Sequence, residues 1–339
     1  MRDRILIVNV NWVGDVIFST PFIRAVRQAH PDGHIACLLH PRCREVLEGS
    51  PRIDEIIIYD EEGVHRSLAG KARLILELRR RRFDTAFLLH RSFTKALIVY
   101  LAGIGKRVGY ATKKREVLLT DIVEEPFDAL HKVEYFLNIA KTAGIDTSNM
   151  HYEFFVSEAD RDYAKGLLAE NGVRNEDVLV AINPGGNWDP KRWPRENFSS
   201  LADRLMSDYG VKVMITGARK DVGLAEEIKG QMKNAPIVTC GKTTLKQLAA
   251  LFERSRLVIS NDTGPMHIAC AVGASVIALF GPTASWITGP FGKGEGRVIS
   301  KAEGCEVPCY NLNCADYKCM NAISVEDVLR EADKVLGKK

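Results

Sequence analysis

The most constraining feature of this chain is the alternation of short, β-branched apolar runs with helical patterns along nearly its whole length. The apolar runs predict strands at these positions: Arg4–Val10, Ile35–His40, Glu55–Tyr59, Thr85–His90, Arg107–Tyr110, Leu179–Asn183, Lys212–Thr216, Ile237–Thr239, Leu257–Ser260 and Val276–Phe280. Strands that are separated by helices pair in parallel, because each helix carries the chain back across the sheet. The pattern therefore predicts an α/β protein with parallel sheets.

The alternation lapses between about Val117 and Val178, where the signals are mainly helical. Since 339 residues are many for a single core, we interpret the lapse as a divide between two α/β domains, with a hinge near Tyr152–Val156. A capping box, Ser324-x-x-Asp327, predicts a last helix. The expected segments are 1–155 and 156–323, two Rossmann-like domains, and 324–339, a C-terminal helix for which packing on the N-terminal domain is one option.

Composition excludes several classes of protein. The net charge of +4 is mild and gives no reason to expect a nucleic-acid partner. The first residues lead directly into the strand-like run Ile5–Val10, without a signal-peptide pattern, and no apolar run reaches the length of a membrane span. We therefore expect a cytoplasmic protein. An exported two-lobed binding protein is disfavoured for the same reason.

Two common nucleotide-binding signatures are missing from the chain. The first predicted strand is followed by Asn9-Val-Asn-Trp-Val-Gly-Asp15, which has one glycine where a dinucleotide fold needs G-x-G-x-x-G. No G-x-x-x-x-G-K-[ST] phosphate loop occurs either. We expect no NAD, FAD or other cofactor.

Two motifs follow strand-like runs in the second half and so are expected at the carboxyl edge of a parallel sheet, where such folds bind ligands. The first is Asn183-Pro-Gly-Gly-Asn-Trp-Asp-Pro-Lys-Arg-Trp-Pro194, and the second is Asn261-Asp-Thr-Gly-Pro-Met-His267. The first contributes cations and approachable backbone N–H groups, and the second opens a helix, whose start attracts anions. The residues concerned are Gly185, Gly186, Asn187, Lys191, Arg192, Thr263, Gly264 and Pro265. Together they predict a phosphorylated ligand, and a diphosphate in particular.

Asp15, directly after Gly14, is the candidate general base for a group transfer. The alternative is a carboxylate that balances a helix dipole. Because Ser19-Thr20-Pro21 resembles a helix start of its own, we expect Gly14 and Asp15 in the preceding turn.

Asp262 and His267 also have two interpretations each. Asp262 accepts hydrogen bonds from ligand hydroxyls or caps the following helix, and both can hold. His267 contacts a phosphate or sugar, or is a packed core histidine.

Metal sites are not expected. Cys305, Cys309, Cys314 and Cys319 crowd the tail, but no pair has C-x-x-C spacing, so reduced thiols or a labile disulfide are favoured over zinc. Asp160-x-Asp162 belongs to a helix that Ser157 caps, which favours a structural role over metal binding.

The opening Ile5–Pro21 segment, Pro190-Lys-Arg-Trp-Pro194, Asn261–His267 and the cysteine-bearing tail resemble the ADP-heptose:lipopolysaccharide heptosyltransferases, glycosyltransferase family 9. This resemblance implies a GT-B fold, in which two Rossmann-like domains face a central cleft. The N-terminal domain would serve the acceptor and the C-terminal domain the nucleotide sugar. It also implies an inverting, metal-independent transfer of L-glycero-D-manno-heptose from ADP-heptose.

The resemblance assigns roles to individual residues. It implies Asp15 as general base, Lys191 at the donor diphosphate, and Gly186 and Asn187 at phosphate-contacting positions. The sugar and phosphates would be contacted by Asp262, Thr263, Gly264 and His267, and the ribose by Asp221. The acceptor would be a lipopolysaccharide core of the Kdo–lipid A type at the cytoplasmic face of the inner membrane. Two basic clusters, Arg79–Arg82 and Lys113–Arg115, could then touch anionic lipid.

Three alternatives stay open at this point. The chain could use another nucleotide sugar or acceptor, or it could bind a nucleotide sugar without catalysis. It could also be an epimerase of the same two-domain plan, which would convert the donor without any acceptor. Loss of turnover with retained donor binding on substitution of Asp15 would favour the transferase.

Overall fold

The computed structural model describes residues 2–292, 294–302, 304–309, 311 and 314–337. The chain forms two compact units, Met1–Phe155 and Val156–Lys339. Their boundary falls inside the segment where the sequence places the hinge. Each unit is a parallel sheet flanked by helices.

The first unit contains a six-stranded parallel sheet in the order β3-β2-β1-β4-β5-β6. Its strands are β1 Arg4–Val8, β2 His34–Leu39, β3 Glu55–Ile58, β4 Thr85–Leu88, β5 Lys106–Tyr110 and β6 Asp121–Val123. Its helices are α1 Val13–Phe18, α2 Thr20–Ala29, α3 Arg44–Leu47, α4 Leu68–Arg81, α5 Phe93–Leu101 and α6 Lys132–Thr142. The strand order reverses between β1 and β4, which makes their carboxyl ends the switch point of this sheet.

The second unit repeats this order, since its sheet runs β12-β11-β10-β7-β8-β9. Its strands are β7 Leu179–Asn183, β8 Lys212–Ile215, β9 Ile237–Val238, β10 Leu257–Asn261, β11 Ser275–Phe280 and β12 Gly296–Ser300. Its helices are α7 Glu158–Glu170, α8 Arg195–Tyr209, α9 Val222–Gln231, α10 Leu245–Arg254, α11 Gly264–Val272, α12 Ser285–Thr288, α13 Lys318–Asn321 and α14 Val325–Leu336. Here the switch point lies between β7 and β10.

The central strands of the second sheet are buried from end to end, as the continuous apolar runs require in a sheet covered on both faces. All residues of β7 and β10 are buried. Two strands escaped the sequence prediction. Only Val123 is buried in β6 and only Ile299 in β12, so these edge strands lack the apolar run that marks the others.

The last helix, α14, packs inside the second unit. Its apolar face, with Val328, Leu329, Ala332 and Val335, belongs to the core formed by β7, β8, β10 and β11. The predicted capping box is present, because Ser324 and Asp327 bond reciprocally. Lys338 and Lys339, the end of the predicted helical segment, lie outside the described residues. Within the described part of the chain, no helix has both the length and the hydrophobicity needed to span a bilayer.

Candidate functional site

The two sequence motifs meet at the switch point of the second sheet, and two asparagines hold them together. Asn261, the last residue of β10, donates to the Pro184 carbonyl (2.8 Å) and accepts from the Trp193 amide (3.1 Å). Asn183, the last residue of β7, donates to the Thr263 hydroxyl (3.2 Å). Neither asparagine was predicted to hold the two motifs together. The sequence feature that could have indicated this role is an asparagine at the end of each of two predicted strands.

Lys191 and Asp262 form an ion pair at this edge. The Lys191 ammonium lies 2.7 Å from Asp262 Oδ2, which also accepts from the Thr283 hydroxyl at 2.7 Å. The side chain of Asp262 is 6% exposed and that of Lys191 is 25% exposed. The carboxylate is therefore fixed, whereas the ammonium reaches solvent. Thr283 was missed because it follows β11, outside both motifs.

The glycines of the first motif lie beside the second motif. Arg192 donates to the Gly186 carbonyl through Nη2 at 2.6 Å, so its guanidinium braces the turn. A Cβ on Gly186 would lie 3.5 Å from the Arg192 side chain and 3.6 Å from that of Thr263. Asn187 is exposed and its side-chain oxygen accepts from Lys220. Gly186 thus brings its backbone close to the start of α11.

Helix α11 begins where the sequence predicted it. Thr263 is its N-cap residue, Gly264 and Pro265 form its first turn, and no side chain caps its N–H groups. The Thr263 hydroxyl turns toward Asn183 instead of the helix. His267 is 3% exposed and lies among buried residues of the helix. An uncapped helix start beside a lysine and a bare glycine turn can bind a phosphate group.

Asp221 has a structural role at the neighbouring strand end. Its Oδ2 accepts from the Ala218 amide at 2.9 Å, and its side chain is buried. A Cβ on Gly185 would come within 2.8 Å of the same oxygen, so Gly185 must be a glycine for the two loops to pack. The ribose contact that the resemblance implies for Asp221 stays a prediction.

Asp15 and Gly14 belong to the first unit, in the first turn of α1. The predicted helix start at Ser19-Thr20-Pro21 is present as α2, but the prediction that Gly14 and Asp15 lie in a turn before it is wrong, because they lie in the separate short helix α1. Ser19 ends α1 and begins α2 with a helical backbone, and its hydroxyl bonds to Val16 and Asn9 rather than capping α2. The short helix forms because its residues Val16, Ile17 and Phe18 are buried, which the local sequence does not signal. Asp15 is partly exposed at the carboxyl edge of the first sheet.

The four tail cysteines share the lining of one cavity of about 150 Å³, together with Pro190 and Pro282. They are free thiols. Burial raises the pKa of the Cys319 thiol, and the nearby Cys305 and Cys314 thiols add to the shift. In the portion of the chain that is described, no three His, Cys, Asp or Glu side chains are grouped to hold a metal ion.

Comparison with known proteins agrees with this architecture. Residues 71–318 match the family described as glycosyltransferase family 9 (heptosyltransferase). Lipopolysaccharide heptosyltransferase 2 of Escherichia coli K12 is 28% identical over an alignment of 314 residues, and the match covers 89% of each chain. A family 9 glycosyl transferase structure from Veillonella parvula matches with a TM-score of 0.92, 28% identity and coverage of 98% and 97%.

The structure of E. coli ADP-heptose lps heptosyltransferase II matches with a TM-score of 0.81 and 26% identity, over 99% of this chain and 98% of that one. The predicted α/β fold with two Rossmann-like units of the GT-B type is confirmed. The Pro190-Lys-Arg-Trp193 form and the cysteine-bearing tail resemble the second heptosyltransferase more than the first-acting one, in agreement with these matches. Since the family match covers well over half of the sequence, this chain is an enzyme of glycosyltransferase family 9, the heptosyltransferases.

Proposed function

We propose that this enzyme transfers L-glycero-D-manno-heptose from ADP-heptose to the growing lipopolysaccharide inner core, with inversion and without a metal ion. The observation that carries the proposal is the meeting of Lys191, the Gly186 turn and the α11 start at one sheet edge. These groups suit a diphosphate because they supply positive charge and open N–H groups together. Relatives named heptosyltransferase 2 support the choice of sugar and acceptor.

The proposed reaction divides its work between two residues. The acceptor hydroxyl oxygen forms a bond to the anomeric carbon as the bond from that carbon to the diphosphate breaks. Asp15 takes the hydroxyl proton. Lys191 offsets the negative charge that develops on the departing ADP, which is the role usually given to a metal ion or an arginine. Asp262, already bound to Lys191, would accept a hydroxyl of the donor sugar.

Turnover of ADP-heptose with a core-oligosaccharide acceptor in excess EDTA tests the metal-independent transfer. We expect undiminished turnover, and a product whose new linkage is inverted relative to the donor when examined by NMR. Loss of activity that Mg²⁺ or Mn²⁺ restores would refute metal independence. Donor conversion without acceptor would point to an epimerase.

The role of Asp15 is tested by Asp15→Ala. We expect turnover to fall by about 10²- to 10⁴-fold, the usual effect of removing a general base, with ADP binding unchanged. Asp32→Asn is the matched control, because Asp32 is an exposed carboxylate before β2, at the opposite edge of the same sheet. Near-normal turnover of Asp15→Ala would exclude Asp15 as the base.

Peripheral contact with anionic lipid is a further part of the proposal, and the structure separates the two basic clusters. The first cluster closes α4, and its Arg81 binds Glu55 at the amino end of β3. The second follows β5, at the carboxyl edge that also carries Asp15, but its Arg115 is fully buried. The clusters thus lie at opposite edges of the first sheet. The expectation that both touch one lipid surface is therefore corrected to a contact by one cluster.

We place the lipid contact at the carboxyl edge, where Lys113 and Lys114 are exposed. Exposed apolar side chains also follow strands at this edge, including Val64 and Phe127, which are 70% and 103% exposed. Cosedimentation with vesicles containing anionic lipid tests this assignment. Lys113→Glu with Lys114→Glu should abolish binding, whereas Arg79→Glu with Arg80→Glu should leave it intact. The reverse result would move the contact to the amino edge.

A further inference from the structure

Lys95 is a buried lysine at the switch point of the first sheet. It lies in the first turn of α5, directly after the β4 strand end, and is 2% exposed. Its ammonium donates to Asn11 Oδ1 at 2.6 Å and lies 3.5 Å from the Asn9 carbonyl oxygen. Lysines are almost never fully buried unless they are paired. The position therefore requires an explanation.

The partners of Lys95 form a closed network. The Asn11 side-chain amide donates to the Glu61 carboxylate, which lies 4.0 Å from the Lys95 ammonium. The ammonium also lies 5.6 Å from the centre of the Tyr59 ring. Asn11 follows β1, Tyr59 and Glu61 follow β3, and Lys95 follows β4. Three strand ends are thus tied to one nitrogen.

This network bears directly on the segment that carries Asp15. Asn11 lies two residues before α1, and Asp15 is in the first turn of that helix. The buried Cys43 thiol, which follows β2, is within electrostatic reach of both the Lys95 ammonium and the Asp15 carboxylate. The amine and the carboxylate therefore share one region of the unit. The Glu61 carboxylate and the His90 imidazole also lie within electrostatic reach of the Lys95 ammonium.

We infer that Lys95 is a positioning residue, which with Asn11 and Glu61 fixes the 9–15 segment so that Asp15 is presented to the acceptor hydroxyl. This inference rests on the proposed role of Asp15. Lys95 itself touches no substrate, because its ammonium is enclosed by protein groups. The network adds rigidity where a displacement of about 1 Å can cost 10²-fold in rate.

Lys95→Met tests the inference, since methionine fills similar space without the charge. We expect kcat to fall by about 10- to 100-fold with the donor KM and ADP affinity unchanged. Amide hydrogen exchange of residues 10–18 should become faster. Lys106→Met, at an exposed lysine of the same unit, is the control and should change none of these quantities.

A kcat within twofold of wild type would overturn the inference. So would a lower kcat with unchanged exchange over residues 10–18. If Lys95→Met does not fold, Asn11→Ala, at a partly exposed residue, decides by the same measurements. If Asp15→Ala keeps its turnover, the proposed base is wrong. If Asp15→Ala is inactive while Lys95→Met is normal, only the role of Lys95 fails.

Discussion

Removal of the Asp262 carboxylate from its ion pair with Lys191 is expected to strengthen ADP binding, whereas the loss of a contact in a binding site usually weakens binding. A phosphate that binds the Lys191 ammonium must approach a nitrogen already held 2.7 Å from Asp262 Oδ2. Two acceptors on one tetrahedral ammonium lie about 4.5 Å apart if each makes a charge-assisted hydrogen bond. We therefore expect the Asp262 carboxylate to repel the phosphate of bare ADP. The variant Asp262→Asn should bind ADP more tightly than the wild type.

The size of this effect follows from the geometry. Two unit charges about 4.5 Å apart repel by about 4 kcal/mol at an effective dielectric constant of 20. Lys191 is 25% exposed, so solvent screens part of this interaction. Loss of the carboxylate also leaves the ammonium held less firmly. We expect a net gain of about 1–2 kcal/mol, which corresponds to roughly 5- to 30-fold tighter ADP binding. Lys191→Met should instead weaken ADP binding by at least about 10-fold.

Isothermal titration calorimetry with ADP measures these affinities, and the double variant completes a thermodynamic cycle. Because the shared lysine is what brings the phosphate close to the carboxylate, Asp262→Asn should gain less in the Lys191→Met background. Asp189→Asn is the matched control. Its carboxylate is 72% exposed and pairs with Arg192 on the same motif, so we expect a change below about twofold. If Asp262→Asn weakens ADP binding as much as Lys191→Met does, Asp262 serves to hold the lysine in place, and the predicted repulsion between its carboxylate and the phosphate is refuted.

Two further predictions concern stability, measured by urea unfolding of the second unit. Gly185→Ala should lower the free energy of unfolding by about 1–3 kcal/mol, because its Cβ would overlap the Asp221 carboxylate. Gly166→Ala, at a helix position with open space around the new Cβ, should raise it by up to about 1 kcal/mol. Asp327→Asn should cost about 1 kcal/mol at neutral pH, because it weakens the return bond from the Ser324 amide and removes the ion pair with Lys301, and a neutral result would contradict this assignment. The hydrogen bond from Lys301 lowers the pKa of Asp327 to about 2, so its contribution is complete above the ordinary carboxyl pKa and should vanish as pH falls toward 2.

The parts of the fold that sequence could predict are those with a local signal. Continuous apolar runs located the central strands, because strands buried on both faces need no polar alternation. Edge strand β12, Gly296–Ser300, has one buried residue and no such run. Helix α1 begins at Val13 with a glycine in its second position, so its formation depends on packing rather than on helix propensity. Its existence could not be inferred from the segment alone.

The candidate site also divides into residues with a local sequence signal and residues without one. Lys191 and the α11 start were predictable, since a basic pair beside Gly-Gly and a Thr-Gly-Pro helix start are recognisable locally. The partner of Lys191 was named in the other motif, but the pairing itself was not foreseen. Lys95 carried no signal, because its neighbours Ser92 to Leu101 form an ordinary capped helix and Asn11 lies 84 residues away. Tertiary contacts alone bring that lysine inside.

The two lysines at the two switch points differ in a way that separates binding from positioning. Each is held by a polar group from another strand end, at 2.7 Å for Lys191 and 2.6 Å for Lys95. Lys191 is 25% exposed and pairs with one carboxylate, so a diphosphate can share its ammonium. Lys95 is 2% exposed, and burial lowers its pKa to about 8, so any ligand would have to open the protein to reach it. The two residues are both lysines and lie at equivalent places in the fold, so their difference in exposure is what separates their proposed roles. Lys191 would bind the ligand, and Lys95 would hold the segment that carries Asp15.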